Sequence, residues 1–187
     1  MSPAPTPRFI AFLRAINVGG HTVTMDRLRA LFSSCGLSGV ETFIASGNVI
    51  FGSRSKSATD LERRIEKHLR VALGYEVQTF VRSDWELGRV SVHQPFPAAE
   101  MVAPGNGVYV AFLQVKPDRT SSARVLALRT SEDEFHVNGR ELYWLRRGNF
   151  SDSRLTGALL EKTLGMPATV RSLTTIRKLA AKYTSLG

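Results

Sequence analysis

The sequence predicts an α+β fold: two ferredoxin-like (βαββαβ) subdomains related by internal duplication, plus a C-terminal helix. Three observations carry this reading. Residues 8–82 run strand, helix, strand, tight turn, strand, helix, strand, and residues 107–171 repeat that order before one more helix. The first strands of the two halves, residues 8–14 (RFIAFLR) and 108–114 (VYVAFLQ), are apolar at successive positions, so both faces of each must be covered. Turn-forming residues, Ser46-Gly47-Asn48 and Asn138-Gly139, occupy corresponding places in the halves.

Each element has a local reason. Thr24 suits a helix N-cap, and Met25, Leu28, Leu31, Phe32 and Cys35 then form one stripe that Gly36 ends. Residues 40–45 and 49–51 are strands around Ser46-Gly47-Asn48. Ser57 or Thr59 starts a second helix, with Leu61, Ile65, Leu69 and Ala72 on one face and Gly74 as its stop. Residues 77–81 close the first unit, and Ser83-Asp84-Trp85-Glu86-Leu87 begins a short extra helix. Pro95, Pro97, Pro104 and Gly105 mark 91–106 as a linker between subdomains at 8–90 and 107–187. In the second half Pro117-Asp118 leads a helix, and residues 134–137 and 141–145 flank Asn138-Gly139. Leu155, Ala158, Leu159 and Lys162 lie on a helix stopped by Gly165 and Pro167, residues 168–171 are a strand, and Leu173, Ile176, Leu179, Ala180 and Tyr183 stripe the last helix. Residues 1–7, with three prolines, read as a disordered tail and not as a secretion signal.

Composition narrows the function classes. No apolar run approaches the roughly 18 residues of a membrane helix, so no membrane partner is expected. The lone Cys35 forms no internal disulfide, which fits a reducing, cytoplasmic setting. His21, His68, His93 and His136 lack metal-ligand spacing, and no phosphate loop, nucleophile elbow or dinucleotide fingerprint is present; neither metal nor cofactor is expected. The net charge is +9, and residues 140–187 hold nine Lys and Arg against three acids. That asymmetry points to an anionic partner, against the plainer reading of a solvated basic surface.

Several motifs match in order and spacing a known family. Arg14-Ala15-Ile16-Asn17-Val18-Gly19-Gly20, Ser46-Gly47-Asn48-Val49-Ile50-Phe51, Leu155-Thr156 and Thr169-Val170-Arg171 resemble the bacterial domain-of-unknown-function family 1697. The resemblance implies an α+β fold with two related subdomains and carries no activity. The chain departs from the pattern at Arg171-Ser172-Leu173, where relatives tend to show Arg-Asn-Trp, and around Arg147-Gly148-Asn149-Phe150-Ser151.

Candidate binding residues fall in three groups. Arg14, Asn17, Gly19 and Gly20 lie between the first strand and helix, where a glycine pair lets backbone N–H groups approach an anion. Ser46 and Asn48 stand in the hairpin turn. Arg146, Arg147, Ser153 and Arg154, with Ser151 and Thr156, surround one helix start; Arg171 and Thr174, with Ser172 and Thr175, surround another. Helix N-termini and arginines both attract phosphate or carboxylate, although the serines are N-caps in any case. The favoured function is binding of nucleic acid or a small phosphorylated ligand through basic loops and helix N-termini. Two alternatives stand beside it: an enzyme acting on a small anionic substrate in a cleft between the subdomains, and a structural or interaction module without ligand. The strands lack exposed stacking aromatics, so a nucleic acid would meet loops and helix ends rather than a sheet face.

Overall fold

A computed structural model describes residues 6–17, 19–44, 47–55, 57–149 and 154–184. The chain divides after Leu87 into two units.

The first unit contains β1 (Arg8–Leu13), α1 (Met25–Ser34), β2 (Ser38–Thr42), β3 (Asn48–Gly52), α2 (Ala58–Leu73) and β4 (Thr79–Ser83). Its strands form an antiparallel sheet in the order β2-β3-β1-β4, the ferredoxin-like arrangement. Thr24 and Ser57 cap the helices as expected, their hydroxyls accepting from the Arg27 and Asp60 N–H groups, and Gly74 takes the left-handed C-cap of α2. Leu28 and Phe32 of α1 and Leu61, Ile65 and Leu69 of α2 pack into one core with Phe9, Ala11, Leu13, Val49, Phe51 and Val81. The intervening residues Ile10, Phe12, Ile50 and Phe80 are equally buried, so these strands are covered on both faces.

β4 is an edge strand, and its outer N–H groups are bonded by side chains rather than by another strand. Glu62 and Glu66 of α2 accept from the Val81 and Thr79 N–H groups at 2.8 and 2.9 Å. Residues i and i+4 of a helix rise about 6 Å, and residues i and i+2 of a strand rise about 6.6 Å, so the two carboxylates meet alternate N–H groups in register. This protects the edge from pairing with another chain.

The second unit contains α4 (Ala98–Met101), β5 (Gly107–Phe112), α5 (Arg119–Leu126), β6 (Asp133–Asn138), β7 (Glu141–Arg146), α6 (Gly157–Leu164), β8 (Thr169–Ser172) and α7 (Leu173–Tyr183). The sheet order β6-β7-β5-β8 repeats that of the first unit, again antiparallel. Leu113, Val125, Leu142, Trp144, Leu160 and Leu164 centre its core. Here too a helix carboxylate reaches the fourth strand: Glu161 of α6 accepts from the Ala168 N–H at 2.9 Å, just ahead of β8.

Several expectations shift. The division at Leu87 falls inside α3 (Asp84–Val92), ahead of residues 91–106. That stretch, expected as a linker, belongs to the second unit: Pro97 caps α4, and Phe96 is buried. Ser83 and Glu86 form a reciprocal capping box that starts α3. β4 begins at Thr79, where pairing with Leu13 starts, two residues later than read. The second hairpin turns on Gly139-Arg140, because Asn138 pairs with Glu141; Gly139 at φ +63 fits the first central position of a type II′ turn. α6 is capped by Thr156 and not by Ser151 or Ser153, which lie outside the described residues. Of the expected tail, residues 1–5 lie outside the described residues, while the Pro7 carbonyl accepts from the Ser53 N–H.

The β4 edge gives a direct test. Glu62 is 2% exposed. Glu62→Ala leaves the Val81 N–H buried without its acceptor, and we expect a loss of about 1–3 kcal/mol in urea unfolding. Glu62→Gln retains an acceptor and costs less. A Glu62→Ala variant as stable as the parent contradicts this role.

Candidate functional site

Two loops of the first unit lie side by side at one end of its sheet. One leaves β1 through Arg14 and leads to α1; the other joins β2 to β3. The Leu13 N–H donates to the Gly47 carbonyl at 2.8 Å. A Cβ on Gly47 would sit 3.0 Å from Ile16 Cγ2 and 3.1 Å from Leu13 Cβ, so this close approach requires glycine, and its φ of +71 requires it again. Each loop holds a non-glycine residue in the left-handed region: Ala15 at φ +57 and Ile44 at φ +58. For the β-branched Ile44, 54% exposed, this is a real outlier. Such residues cost of order 1–3 kcal/mol each and persist only where their surroundings over-determine them.

The bracing is visible. Asn48, fully buried, donates through Nδ2 to the Phe43 carbonyl at 3.0 Å, and the Phe43 N–H donates to the Asn48 carbonyl at 3.0 Å, clamping the hairpin on both sides of Ile44. The Val23 N–H donates to Asn17 Oδ1 at 2.7 Å, closing the first loop. The Tyr75 hydroxyl, just past α2, donates to the Ile16 carbonyl at 2.9 Å, and the His21 ring stacks on Tyr75 with centroids 4.1 Å apart. Asn17 is exposed, and with Oδ1 engaged its Nδ2 donors are turned away from that bond. Gly19 and Gly20 are exposed, at φ +62 and +84, with open space where side chains would stand. Neither residues 14–23 nor 43–48 contain an Asp or Glu.

The first-unit candidates Arg14, Asn17, Gly19, Gly20 and Asn48 are thus brought together, Asn48 as a buried brace; Ser46 lies outside the described residues. The second-unit candidates are arranged otherwise. Arg146, 3% exposed, donates through Nη1 to Glu132 and Asp133 at 2.6 and 3.1 Å and through Nε to the Asn149 carbonyl. Asp133 in turn accepts from Trp144 Nε1 at 2.8 Å. Arg147 pairs with Glu134 at 2.8 Å and with Glu100, and the hydrogen bond to Glu134 holds its guanidinium above the ordinary arginine value. Both arginines are neutralised internally. Arg171 donates to Thr169 Oγ1 and the Val170 carbonyl, and burial pushes it down to about 10. Thr174 lies in the first turn of α7, beside Tyr109 and Arg177 at a shallow pocket of about 240 Å³. Arg154 is exposed, and Ser153 lies outside the described residues.

Sequence reading missed two things. Arg82 of β4 is the counterpart of Arg171: fully buried, it donates to the preceding carbonyl, Val81, as Arg171 does to Val170. The signal was the repeated Val-Arg-Ser, at residues 81–83 and 170–172, each serine starting a helix. The second is the outer face of α2, where Arg63, Arg64 and Lys67 line an acid-free groove. Among the described residues no group of three or more His, Cys, Asp and Glu is placed to hold a metal.

Comparison with known proteins agrees with this architecture. The profile of a family described as a protein of unknown function, DUF1697, matches residues 7–143, and the chain belongs to that family. A solved structure, the conserved bacterial protein SP0830 from Streptococcus pneumoniae, is similar with a TM-score of 0.74 at 23% identity, covering 95% of this chain and 98% of its own; the likeness shows the fold. No curated protein matches the chain.

The second-unit network yields two expectations. Asp133→Ala leaves Trp144 Nε1 buried without its acceptor and Arg146 with Glu132 as its one remaining carboxylate among the described residues, and costs about 1–3 kcal/mol in chemical unfolding, whereas Arg154→Ala stays within about 0.5 kcal/mol; equal effects refute the assignment. His93 lies against Tyr143 and His136, ring centroids 4.8 and 5.5 Å away. Burial first, then His136 and Arg89, hold it below the ordinary 6.5, with Glu141 opposing. The folded state therefore favours neutral His93, and its contribution is complete above the unfolded value and lost as pH falls below it. The melting temperature of His93→Phe should fall less between pH 7 and pH 5 than that of the parent; parallel curves exclude His93 as a source of acid sensitivity.

Proposed function

We propose that this protein binds a phosphate-bearing ligand, nucleic acid or a small phosphorylated molecule, through the paired loops of its first unit. The observation that carries the reading is chemical: a braced pair of loops offers hydrogen-bond donors, and neither loop contains an Asp or Glu. Asn17 supplies Nδ2 donors, the Gly19-Gly20 backbone lets a ligand approach without side-chain obstruction, and Arg14 stands where β1 ends. The left-handed Ala15 and Ile44 support a functional role, because strain held by this much bracing concentrates at ligand sites. The net charge of +9 favours anionic partners over cationic ones. The positions at Arg146 and Arg147 add nothing, since their charge is already met. No helix of the described residues is long and apolar enough to cross a membrane, and with a lone free cysteine the reading places the protein in the cytoplasm.

An enzymatic reading gains no support from the contact between Ser34 and His68. Ser34 Oγ lies 2.9 Å from His68 Nε2, but its proton has a competing acceptor in the Leu31 carbonyl at 3.0 Å.

Thermal unfolding against pyrophosphate and nucleotides tests the proposal. A ligand at about 100 times its Kd adds roughly 2.7 kcal/mol, which raises Tm by roughly 5–10 °C for a chain of this size. Asn17→Asp keeps the acceptor for the Val23 N–H while replacing the donors by a negative charge. We expect it to fold normally and to lose the ligand-induced shift. No stabilising compound for the parent, or an undiminished shift in Asn17→Asp, overturns the reading.

A further inference from the structure

We infer that the outer face of α2 is a second anion-binding surface, built to lie along the phosphodiester backbone of a nucleic acid. The inference stands apart from the paired loops and does not need them to bind anything.

α2 carries its charges sorted by sign. Of its three acids, Glu62 and Glu66 are turned onto the β4 edge, where they accept from the Val81 and Thr79 N–H groups. The third, Asp60, lies in the first turn. Arg63, Lys67 and Arg70 are exposed on the outside. Arg70 meets Glu76 at 3.4 Å, a solvated pair of little weight. Arg63 and Lys67 make no hydrogen bond or ion pair among the described residues. Arg64 donates to the Cys35 carbonyl, covering the end of α1 with a positive group.

Shape follows the charge. Between the end of α1 and α2 runs a groove of about 560 Å³ whose lining includes Arg63, Arg64, Lys67 and His68 and no acid. A second groove on the far side of α2 also has Arg63, Lys67 and Arg70 on its wall, here together with Glu66 and Glu76. These two cations therefore form a ridge between grooves, one helical turn or about 6 Å apart along the axis, with Arg70 continuing the row.

A row of cations matches a linear polyanion better than a point ligand, because successive charges meet successive phosphates and release their counterions. A membrane surface fits less well: Val71 is the one exposed apolar residue on the groove wall, too little to anchor in lipid.

Fluorescence anisotropy with labelled mixed-sequence single-stranded and duplex oligonucleotides, across a salt series and with the full chain, tests the inference. The parent protein should bind at low salt and weaken steeply as salt rises. The double variant Arg63→Gln, Lys67→Gln should bind about tenfold more weakly, with its log–log salt slope reduced by about 2. Both positions are exposed, so its melting temperature should match that of the parent. Asn17→Asp, which disables the paired loops, should leave oligonucleotide binding at the ridge intact, so either reading can fail alone. Absence of binding at low salt, a double variant with unchanged affinity and slope, or capture by equimolar phosphatidylcholine–phosphatidylserine vesicles without oligonucleotide binding would each overturn the ridge.

Discussion

The contact between two carboxylates of α2 and the free edge of β4 organises the first unit. An edge strand needs partners for its outward N–H groups, and a helix above a sheet is otherwise free to slide and roll. Glu62 and Glu66 remove both freedoms, because helical and strand rises match over one turn and two residues. With α2 fixed in rotation, Leu61, Ile65 and Leu69 face the core, and Tyr75, one residue past the Gly74 cap, reaches the Ile16 carbonyl. The loop that begins at Arg14 thus takes its position from an interaction at the opposite edge of β4. The same bond fixes the sign of the helix surface, since acids drawn to the sheet leave cations outside. The second unit repeats the device once, through Glu161 and Ala168.

Net charge and available charge are different quantities here. Residues 140–187 are the most basic part of the chain, yet Arg146 and Arg147 are met by Glu132, Asp133, Glu134 and Glu100. These pairs tie β6 and β7 together at the open end of their hairpin and dock α4 through Glu100. A buried pair of this kind is poor evidence of net stability, but removing one partner is costly. Two of that quarter's nine cations therefore serve to close the second sheet, and cationic surface must be sought where no carboxylate answers it.

Much of the architecture was legible in the sequence, because each element carries its own signals. Apolar residues at successive strand positions announced sheets covered on both faces; Thr24, Ser57 and Gly74 marked helix ends by chemistry that needs no tertiary context. The duplication was legible from element order, and Val-Arg-Ser before each extra helix is its trace in residues. The partners of Arg146 were hidden by register. A turn on Asn138-Gly139 sets Asp133 opposite Trp144; the observed turn on Gly139-Arg140 sets it opposite Arg146. The acids at 132–134 are thereby ion-pair partners. The bracing of the paired loops was hidden for another reason: Tyr75 and Ile16 are far apart in sequence, and no periodicity announces a side chain that reaches a distant carbonyl. The cations of α2 were visible as letters, but that the acids one residue away are engaged by the β4 edge became apparent only with β4 in place.

The central claim is that carboxylates drawn inward decide which cations remain to meet an anion. Amide chemical-shift mapping of the labelled protein during titration with a short oligonucleotide tests it most directly. The account predicts perturbations at Gly19 and Gly20 and along Arg63 to Lys67, with the amides of Arg146 and Arg147 unmoved. Perturbations centred on Arg146, Arg147 and Arg171, with the first unit silent, would contradict it.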